Sequence, residues 1–368
     1  MIVLSKNNFK FDVKNFFFVF ACWIIAFIML YLFRFYKVEI TYLILREIEF
    51  NHYLPLISIT LISLIFGIAN GLFETIFNET IGKKLPFGLL ILAKALHIIF
   101  WLNVAVISII TINTQLLGLE NVYRRLAQFY LDGGVVFITI YVLFVSFLIN
   151  LITQVSKHFG KGGLVKLLSG KYHRPKKEER IFMFLDMRSS TALAEKLGEM
   201  KYSLLLKEFF LDISIPIDKN HGNIFQYVGD EVVITWEVSD ERSYLHAVNC
   251  FFDIKNKILK EKDKYINKFG LMPEFKAGVH SGVIVTTMVG FYKRDIVFHG
   301  DTINTTSRIQ ELCNDLNAEL LISENLYNKL TLNSSFIFNE LGEFFLKGKE
   351  IAIKLYSVEK KEHEKRIH

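Results

Sequence analysis

The sequence predicts a chain of two unlike halves: an α-helical membrane domain of four spans at residues 1–155, and an α+β domain at residues 180–368. Three observations support this division. The hydrophobic content of 52% and the mean hydropathy of +0.33 are too high for an ordinary soluble protein. Charged residues are sparse before about residue 155 and dense after it. From about residue 178, long apolar runs give way to short segments of strand and helix periodicity.

The first half contains four apolar runs, each near the ~20 residues that a helix needs to cross a bilayer. They are Phe16–Phe33, Tyr53–Phe73, Phe87–Ile112 and Gly133–Val155. The first run is too long for a cleavable signal peptide and is followed by Arg34 rather than by small residues. We therefore expect four membrane-spanning helices.

Basic residues set the predicted orientation. Three lysines precede the first run, Lys83 and Lys84 lie between the second and third, and eight Lys/Arg with only two Glu fill the segment from Ser156 to Arg180. Cytosolic flanks of membrane helices carry such an excess near anionic lipid. We expect a multi-pass protein of the cell membrane with a cytosolic second half, joined by a basic connector at residues 156–179. Because this cluster accounts for the net charge of +6, the charge does not indicate nucleic-acid binding.

Lys94 and His97 lie three residues apart within the third run. They either form a polar site inside the membrane or belong to a helix that begins late, with Lys94 reaching to the cytosolic surface. The apolar stretch after Lys94 is still long enough to cross, which favours the second alternative. If the first holds, Glu74 is the obvious partner.

The sequence pattern of the second half predicts the element order βαββαβ. This order is a split βαβ, with a ferredoxin-like sheet and helices on one face. The predicted strands are Arg180–Leu185, Asn223–Val228, Glu231–Trp236 and Phe275–His280, and the predicted helices are Ala192–Ile213, Asp240–Phe269 and Asp301–Asn317.

Asp186 ends the first of these strands, and Asp230 lies in the turn of the hairpin beside it. Two carboxylates on adjacent strand ends can hold two divalent ions. Alone, each has a simpler explanation, Asp186 as a helix cap and Asp230 as a turn residue; together they favour a metal site. Ser189, Ser190 and Thr191 then open a helix, whose free N–H groups suit a triphosphate.

Asn304 and Arg308 are four residues apart, which places them on one helical face. Arg can neutralise charge on a transferring phosphate, and Asn can orient a sugar oxygen. The alternative is an ordinary surface pair.

Five segments together resemble class III adenylate/guanylate cyclases in order and spacing. They are Ile181–Thr191 (IFMFLDMRSST), Gly229–Glu231 (GDE), Lys276–Gly282 (KAGVHSG), Gly300–Arg308 (GDTINTTSR) and Phe345–Lys349 (FLKGK). The resemblance covers about Arg180 to Val358. Residues 160–180 also resemble the connector of membrane cyclases.

The resemblance implies that two Mg²⁺ or Mn²⁺ ions bind at Asp186 and Asp230, and we include the adjoining Met187 in this site. It implies transition-state contacts from Asn304 and Arg308. The implied substrate-binding residues are Arg188, Ser189, Ser190, Thr191, Gln226, Val297 and Lys347. Since family members pair head to tail, a homodimer with two equivalent shared sites is implied.

Gln226 and Val297 stand where the family reads the purine, and neither matches the adenylate or the guanylate pattern. Gln226 can pair with either base, and Val297 offers no hydrogen bond. Because the Glu of guanine readers is missing, we expect an adenylate cyclase that converts ATP to cAMP and pyrophosphate, with a guanylate cyclase acting on GTP as the alternative. A non-catalytic membrane nucleotide sensor remains open. A cyclic-dinucleotide synthase is disfavoured by Val228 and Val232, which break its motif.

Overall fold

The computed structural model describes residues 13–45, 53–80, 85–116, 131, 134–160, 162–292, 294–330 and 335–361. Two compact units divide the chain, Met1–Lys157 and His158–His368.

Each predicted membrane span lies in a long helix of the first unit. These helices are α1 (Val13–Leu45), α2 (Tyr53–Thr80), α3 (Phe87–Leu116) and α4 (Gly134–Phe159). Three of them contain stretches long and apolar enough to cross a membrane: Asn15–Leu32, Gly88–Ala105 and Val136–Ser156. In α2 the apolar stretch among the described residues, Ser63–Phe77, is shorter. The fourth span therefore stays a prediction, and the loop between α3 and α4 lies largely outside the described residues.

Helices α1 and α2 pack closely because α2 presents glycines to α1. A Cβ at Gly71 would come within 2.8 Å of the Phe16 ring, and one at Gly67 within 3.0 Å of the Phe20 ring. Small residues allow such close approach between apolar helices. Trp23 and Phe66 then pack edge to face, with ring centroids 4.8 Å apart.

Lys94 corrects one expectation from the sequence. Its side chain is buried, and Nζ donates to Glu74 Oε2 and to Asn150 Oδ1, each at 2.6 Å. The alternative in which Lys94 reaches to the surface is therefore wrong, and Glu74 is its partner. The contacts of Glu74, Lys94 and Asn150, here called the polar cluster, join α2, α3 and α4. A charged group in an apolar interior needs such partners, since the bonds offset its loss of water. His97 stacks on Phe73 instead, with ring centroids 3.5 Å apart.

The second unit is built on one mixed sheet. Its strands are β1 (Lys176–Met187), β2 (Asn223–Val228), β3 (Glu231–Glu237), β4 (Phe275–Val289), β5 (Asp295–His299), β6 (Leu320–Ser323), β7 (Phe336–Phe344) and β8 (Ile353–Lys360). Their order is β2-β3-β1-β4-β6-β8-β7, and β5 pairs with β4. The segment β2-β3-β1-β4 is antiparallel throughout and has the order of the predicted split βαβ.

The helices of this unit are α5 (Gly163–Leu168), α6 (Ser190–Leu197), α7 (Glu199–Lys219), α8 (Arg242–Lys260), α9 (Lys262–Phe269), α10 (Asp301–Glu311) and α11 (Glu324–Tyr327). The first long predicted helix is interrupted at Gly198, which adopts φ 74° and ψ 156°, a conformation open mainly to glycine. The second is interrupted at Glu261, where the backbone leaves helical geometry.

Helices cover both faces of the sheet, so the prediction of helices on one face is wrong. Ile181, Met183 and Leu185 of β1 pack in one core with α7 and α8. The alternate residues Phe182 and Phe184 face the other way, into a second cluster that includes Ile303 of α10. Alternation along β1 therefore buries both of its faces.

The basic connector packs onto the sheet within the second unit. Tyr172 is buried, and its carbonyl oxygen accepts from the Met288 amide at 3.0 Å. Glu237 accepts from Lys166 and, at 2.9 Å, from Arg180 Nη2. Although burial raises the pKa of Glu237, the Lys166 hydrogen bond and the Arg180 charge outweigh it and lower this pKa to about 2. The connector is thus fixed by ion pairs to the end of β3.

Candidate active site

The two predicted metal-binding carboxylates come together at one end of the sheet. Asp186 is near the end of β1, and Asp230 follows Gly229 in the tight turn between β2 and β3. The turn requires a positive φ, 62°, at Gly229. Because β1 and β3 are neighbours, with Leu185 opposite Val232, the turn places Asp230 beside Asp186.

The surroundings of Asp186 are crowded and charged. Its Oδ2 accepts from Gln310 Nε2 at 2.9 Å and lies 3.6 Å from Lys276 Nζ. Burial raises the pKa of Asp186, and the Asp230 carboxylate raises it further, while Lys276 and Gln310 act in the opposite direction. Two carboxylates this close repel each other unless a cation lies between them.

Asp230 supplies the observation that bears on a metal. Its Oδ2 is buried and has no hydrogen-bond partner among the described residues. A buried carboxylate oxygen without a donor is costly in a native fold, and a cation would satisfy it. No group of three or more His, Cys, Asp or Glu forms a metal cage in the described chain. Mg²⁺ seldom needs one, since it commonly binds one or two carboxylates together with water and substrate phosphates.

The residues present therefore fit a divalent ion, with one restriction at Met187. Its side chain is buried in the core shared with α7 and α8. Only its main-chain oxygen is therefore available to a cation.

In the predicted phosphate-binding segment, Arg188 already makes hydrogen bonds to other parts of the chain. Arg188 donates its amide to Glu274 O at 2.8 Å and its Nη2 to Ala318 O at 2.7 Å. Ser189 caps α6 in the left-handed region, φ 55°, without a side-chain capping bond. The amides of Ser190 and Thr191 belong to the first turn of α6, where N–H groups have no intrahelical acceptor. These two amides, rather than Arg188, suit a phosphate.

Helix α10 separates its functional residues onto two faces. Gln310 is buried against the sheet and reaches Asp186, whereas Asn304 is exposed. At about 100° per residue, Arg308 points roughly 160° away from Gln310. Its Nη1 donates to both oxygens of Glu311, at 2.6 and 2.8 Å. Within one chain, Asn304 and Arg308 therefore face away from the carboxylates.

The two positions predicted to read the purine lie on strands whose neighbouring side chains are in contact. Gln226 on β2 is exposed and Val297 on β5 is half-buried. Their chain neighbours Phe225 and Phe298 touch, with ring centroids 4.6 Å apart. Lys347 is exposed in the segment between β7 and β8.

Sequence reasoning missed three residues of this site. Lys276 and Gln310 contact Asp186 directly. The pKa of Glu231 rises to about 7, through burial first and then the charges of Asp186 and Asp230. Lys276 could have been identified from the sequence, because it begins the segment KAGVHSG and antiparallel pairing of the two strands places it opposite Asp186. No feature of the sequence pointed to Gln310 as a contact of Asp186.

Comparison with known proteins identifies the family of the second unit. The family model described as "Adenylate and Guanylate cyclase catalytic domain" matches residues 173–360. Adenylate cyclase 2 of Rhizobium meliloti is 34% identical over 212 residues, which is 58% of each chain. Adenylate cyclase of Anabaena cylindrica is 28% identical over 48% of this chain and 36% of its own length. This chain thus spans about a third to three-fifths of the length of these two relatives.

Solved structures agree on the fold. A bacterial light-regulated adenylyl cyclase superimposes with a TM-score of 0.50 at 22% identity, covering 58% of this chain and 64% of that one. The family match covers half of the chain and contains the Asp186–Asp230 pair and α10. The chain therefore belongs to the adenylate and guanylate cyclase family, class III, and residues 173–360 are its catalytic domain.

Proposed function

We propose that this protein is a membrane-anchored adenylate cyclase that converts ATP to 3′,5′-cyclic AMP and pyrophosphate, using two divalent metal ions at sites shared by two copies of the chain. The observation that carries the proposal is the half-buried pair of carboxylates, Asp186 and Asp230, in which the buried Oδ2 of Asp230 has no donor among the described residues. A pair of this kind fits a cation that also holds phosphate oxygens.

The reaction is an in-line displacement at the α-phosphorus. The ribose 3′-oxygen forms the new P–O bond, pyrophosphate leaves, and the hydroxyl proton passes to solvent or to a phosphate oxygen. When bound, the divalent ions supply Lewis-acid stabilisation of the attacking and leaving oxygens. Asp186 and Asp230 hold them, and the amides of Ser190 and Thr191 bind phosphate oxygens at the start of α6.

Asn304 and Arg308 complete the site from a second copy. Asn304 orients the ribose oxygen, and Arg308 neutralises charge that develops on the phosphate. The outward face of α10 supports this, because both side chains point away from the carboxylates of their own chain. Among the described residues Arg308 pairs with Glu311 on the helix surface, and it can exchange that partner for a phosphate.

ATP is the proposed substrate. Two of the most similar relatives are named adenylate cyclases. Gln226 is compatible with adenine, and the Glu that reads guanine in the family is absent. Since Val297 offers no hydrogen bond, we expect modest selectivity over GTP.

The apolar helices of the first unit support membrane anchoring. Their exposed surfaces are rich in large apolar side chains, including Ile25, Phe100 and Ile140. Such continuous apolar surface suits lipid rather than water. We place the catalytic domain in the cytosol, because the connector before it is basic.

The full chain in membrane vesicles, given ATP or GTP with Mn²⁺, tests this function. We expect cAMP and pyrophosphate in equal amounts from ATP, less cGMP from GTP, and neither product from Asp186→Asn. If cGMP formed faster, the protein would be a guanylate cyclase. If full-length protein that binds ATP formed neither product, it would be a non-catalytic sensor and the enzyme proposal would be wrong.

A further inference from the structure

Lys276 lies at the metal-binding carboxylates but has no role in the proposed reaction. It is on β4, directly opposite Asp186 of β1 in the antiparallel register. Its side chain is only 8% exposed, although a lysine normally keeps its ammonium in water. A buried ammonium needs a compensating charge, and the partner here is Asp186.

The contact between these two residues is electrostatic rather than a close hydrogen bond. Lys276 Nζ lies 3.6 Å from Asp186 Oδ2, whereas Gln310 Nε2 donates to the same oxygen at 2.9 Å. Gln310 therefore fixes the orientation of the carboxylate, and Lys276 adds a charge. Both protein donors approach the same carboxylate oxygen, Oδ2.

The ammonium also acts on the other acidic groups at this end of the sheet. Asp186 and Asp230 repel each other, and Glu231 lies within the field of both. Lys276 opposes this repulsion at Asp186 and at Glu231. It is thus the positive side chain that faces the acidic cluster from β4.

We propose that Lys276 is a resident counter-cation of the metal site: it neutralises the acidic cluster when no divalent ion is bound and competes with the ions that bind there. The inference rests on the proposed metal site. A positive charge close to a divalent ion weakens its binding by Coulomb repulsion, and the effect is large where water is scarce. Lysine suits this role, because its single ammonium is carried on a flexible stem and can withdraw when an ion arrives.

The experiment compares Lys276→Met with Lys276→Arg in the full chain in detergent micelles. Met keeps the apolar stem and removes the charge, while Arg keeps the charge. The unfolding temperature is followed across an Mn²⁺ titration without nucleotide, since an ion that binds the folded state raises this temperature once its concentration approaches its dissociation constant. Lys219→Met is the matched control, because Lys219 pairs at 2.9 Å with Asp253, which is not a candidate ligand.

We expect Lys276→Met to unfold at a lower temperature without Mn²⁺. Its unfolding temperature should begin to rise at an Mn²⁺ concentration, the onset, at least ~5-fold lower than that of the wild type. Lys276→Arg and Lys219→Met should keep the wild-type onset. A purely structural lysine would lower the unfolding temperature without shifting the onset, and a lysine that merely positions Asp186 would raise the onset; either result overturns the proposal. If wild type and Asp186→Asn gave the same titration, the metal site itself would be wrong.

Discussion

At the residue scale, two half-buried carboxylates, Asp186 and Asp230, lie side by side, and the fold gains nothing from their proximity. Asp186 is partly compensated by Gln310 and Lys276, whereas Asp230 Oδ2 has no donor among the described residues. Sites arranged for a ligand commonly hold such uncompensated charge, and stability is lost in exchange for function. Stability and activity should therefore respond in opposite directions when one charge is removed.

The substitution Asp230→Asn tests whether stability and activity change in opposite directions. The amide has nearly the same shape and removes the repulsion with Asp186, so we expect the metal-free protein to become more stable, by up to about 1 kcal/mol. Cyclase activity should fall at least ~100-fold, since a neutral amide is a poor ligand for a divalent ion. Chemical unfolding without metal and a cAMP assay measure the two effects. Stability that dropped together with activity would indicate a structural role for Asp230.

At the element scale, the site depends on how closely α10 approaches β4. A Cβ at Gly278 would lie 2.5 Å from the Gln310 amide nitrogen and 2.8 Å from its Cα. The glycine thus lets α10 lie directly on the strand, and Gln310 reaches Asp186 from that position. A main-chain clash cannot be relieved by rotating a side chain.

Gly278→Ala should therefore move α10 away from β4. We expect a loss of about 1–3 kcal/mol in stability and a lower kcat, because Gln310, Asn304 and Arg308 all move with the helix. Gly282→Ala on the same strand is the control. Its Cβ would meet the Thr302 side chain, 2.5 Å from Oγ1 and 3.2 Å from Cγ2, rather than the main chain of α10, so its cost should be smaller. Equal costs would contradict a main-chain clash at Gly278.

The polar cluster is the corresponding feature among the apolar helices of the first unit. Lys94→Met leaves Glu74 buried without its ammonium, and we expect a loss of about 3–5 kcal/mol. The double change Lys94→Met/Glu74→Gln should be milder than the single one, because it removes both charges of the pair. Thermal unfolding of the full chain in detergent measures both. Ser108→Ala, which removes a hydroxyl bonded within its own helix, is the control and should change little. A double variant less stable than Lys94→Met would contradict pairing of the two charges.

At the scale of the whole molecule, the proposed site needs two chains. Asp186 and Asp230 lie at the sheet, and the outward face of α10 presents Asn304 and Arg308 to solvent. A homodimer would place the carboxylates of one copy against α10 of the other, twice by symmetry.

Complementation tests this arrangement. Asp230→Ala and Arg308→Ala chains should each be inactive as homodimers, because every site lacks one component. A mixed dimer contains one intact site, so we expect about half of the wild-type activity per mixed dimer. Co-expression with two different affinity tags isolates the mixed dimers for the cAMP assay. Inactive, verified mixed dimers would contradict shared sites.

The sequence by itself determined those features that depend on local order. Apolar runs placed the four long helices, periodicity placed β2 and β3 to within a residue, and Gly229–Asp230 marked the turn that sets Asp230 beside Asp186. The spacing of Asn304 and Arg308 put them on one face of α10. Each of these follows from residues near one another in the chain, whose pattern of burial is visible directly.

Only the tertiary structure decided which distant side chains meet. Gln310 reaches Asp186 across 124 positions, and Lys94 reaches Asn150 across 56. The position of α10 on the second face of the sheet was equally hidden, because a continuous apolar strand such as Ile181–Leu185 shows that both faces are covered without showing by what. A local sequence pattern predicts which segments are buried, whereas tertiary packing determines which side chains meet. For Lys94, Lys276 and Gln310, the contact made in the folded chain determines what the residue does.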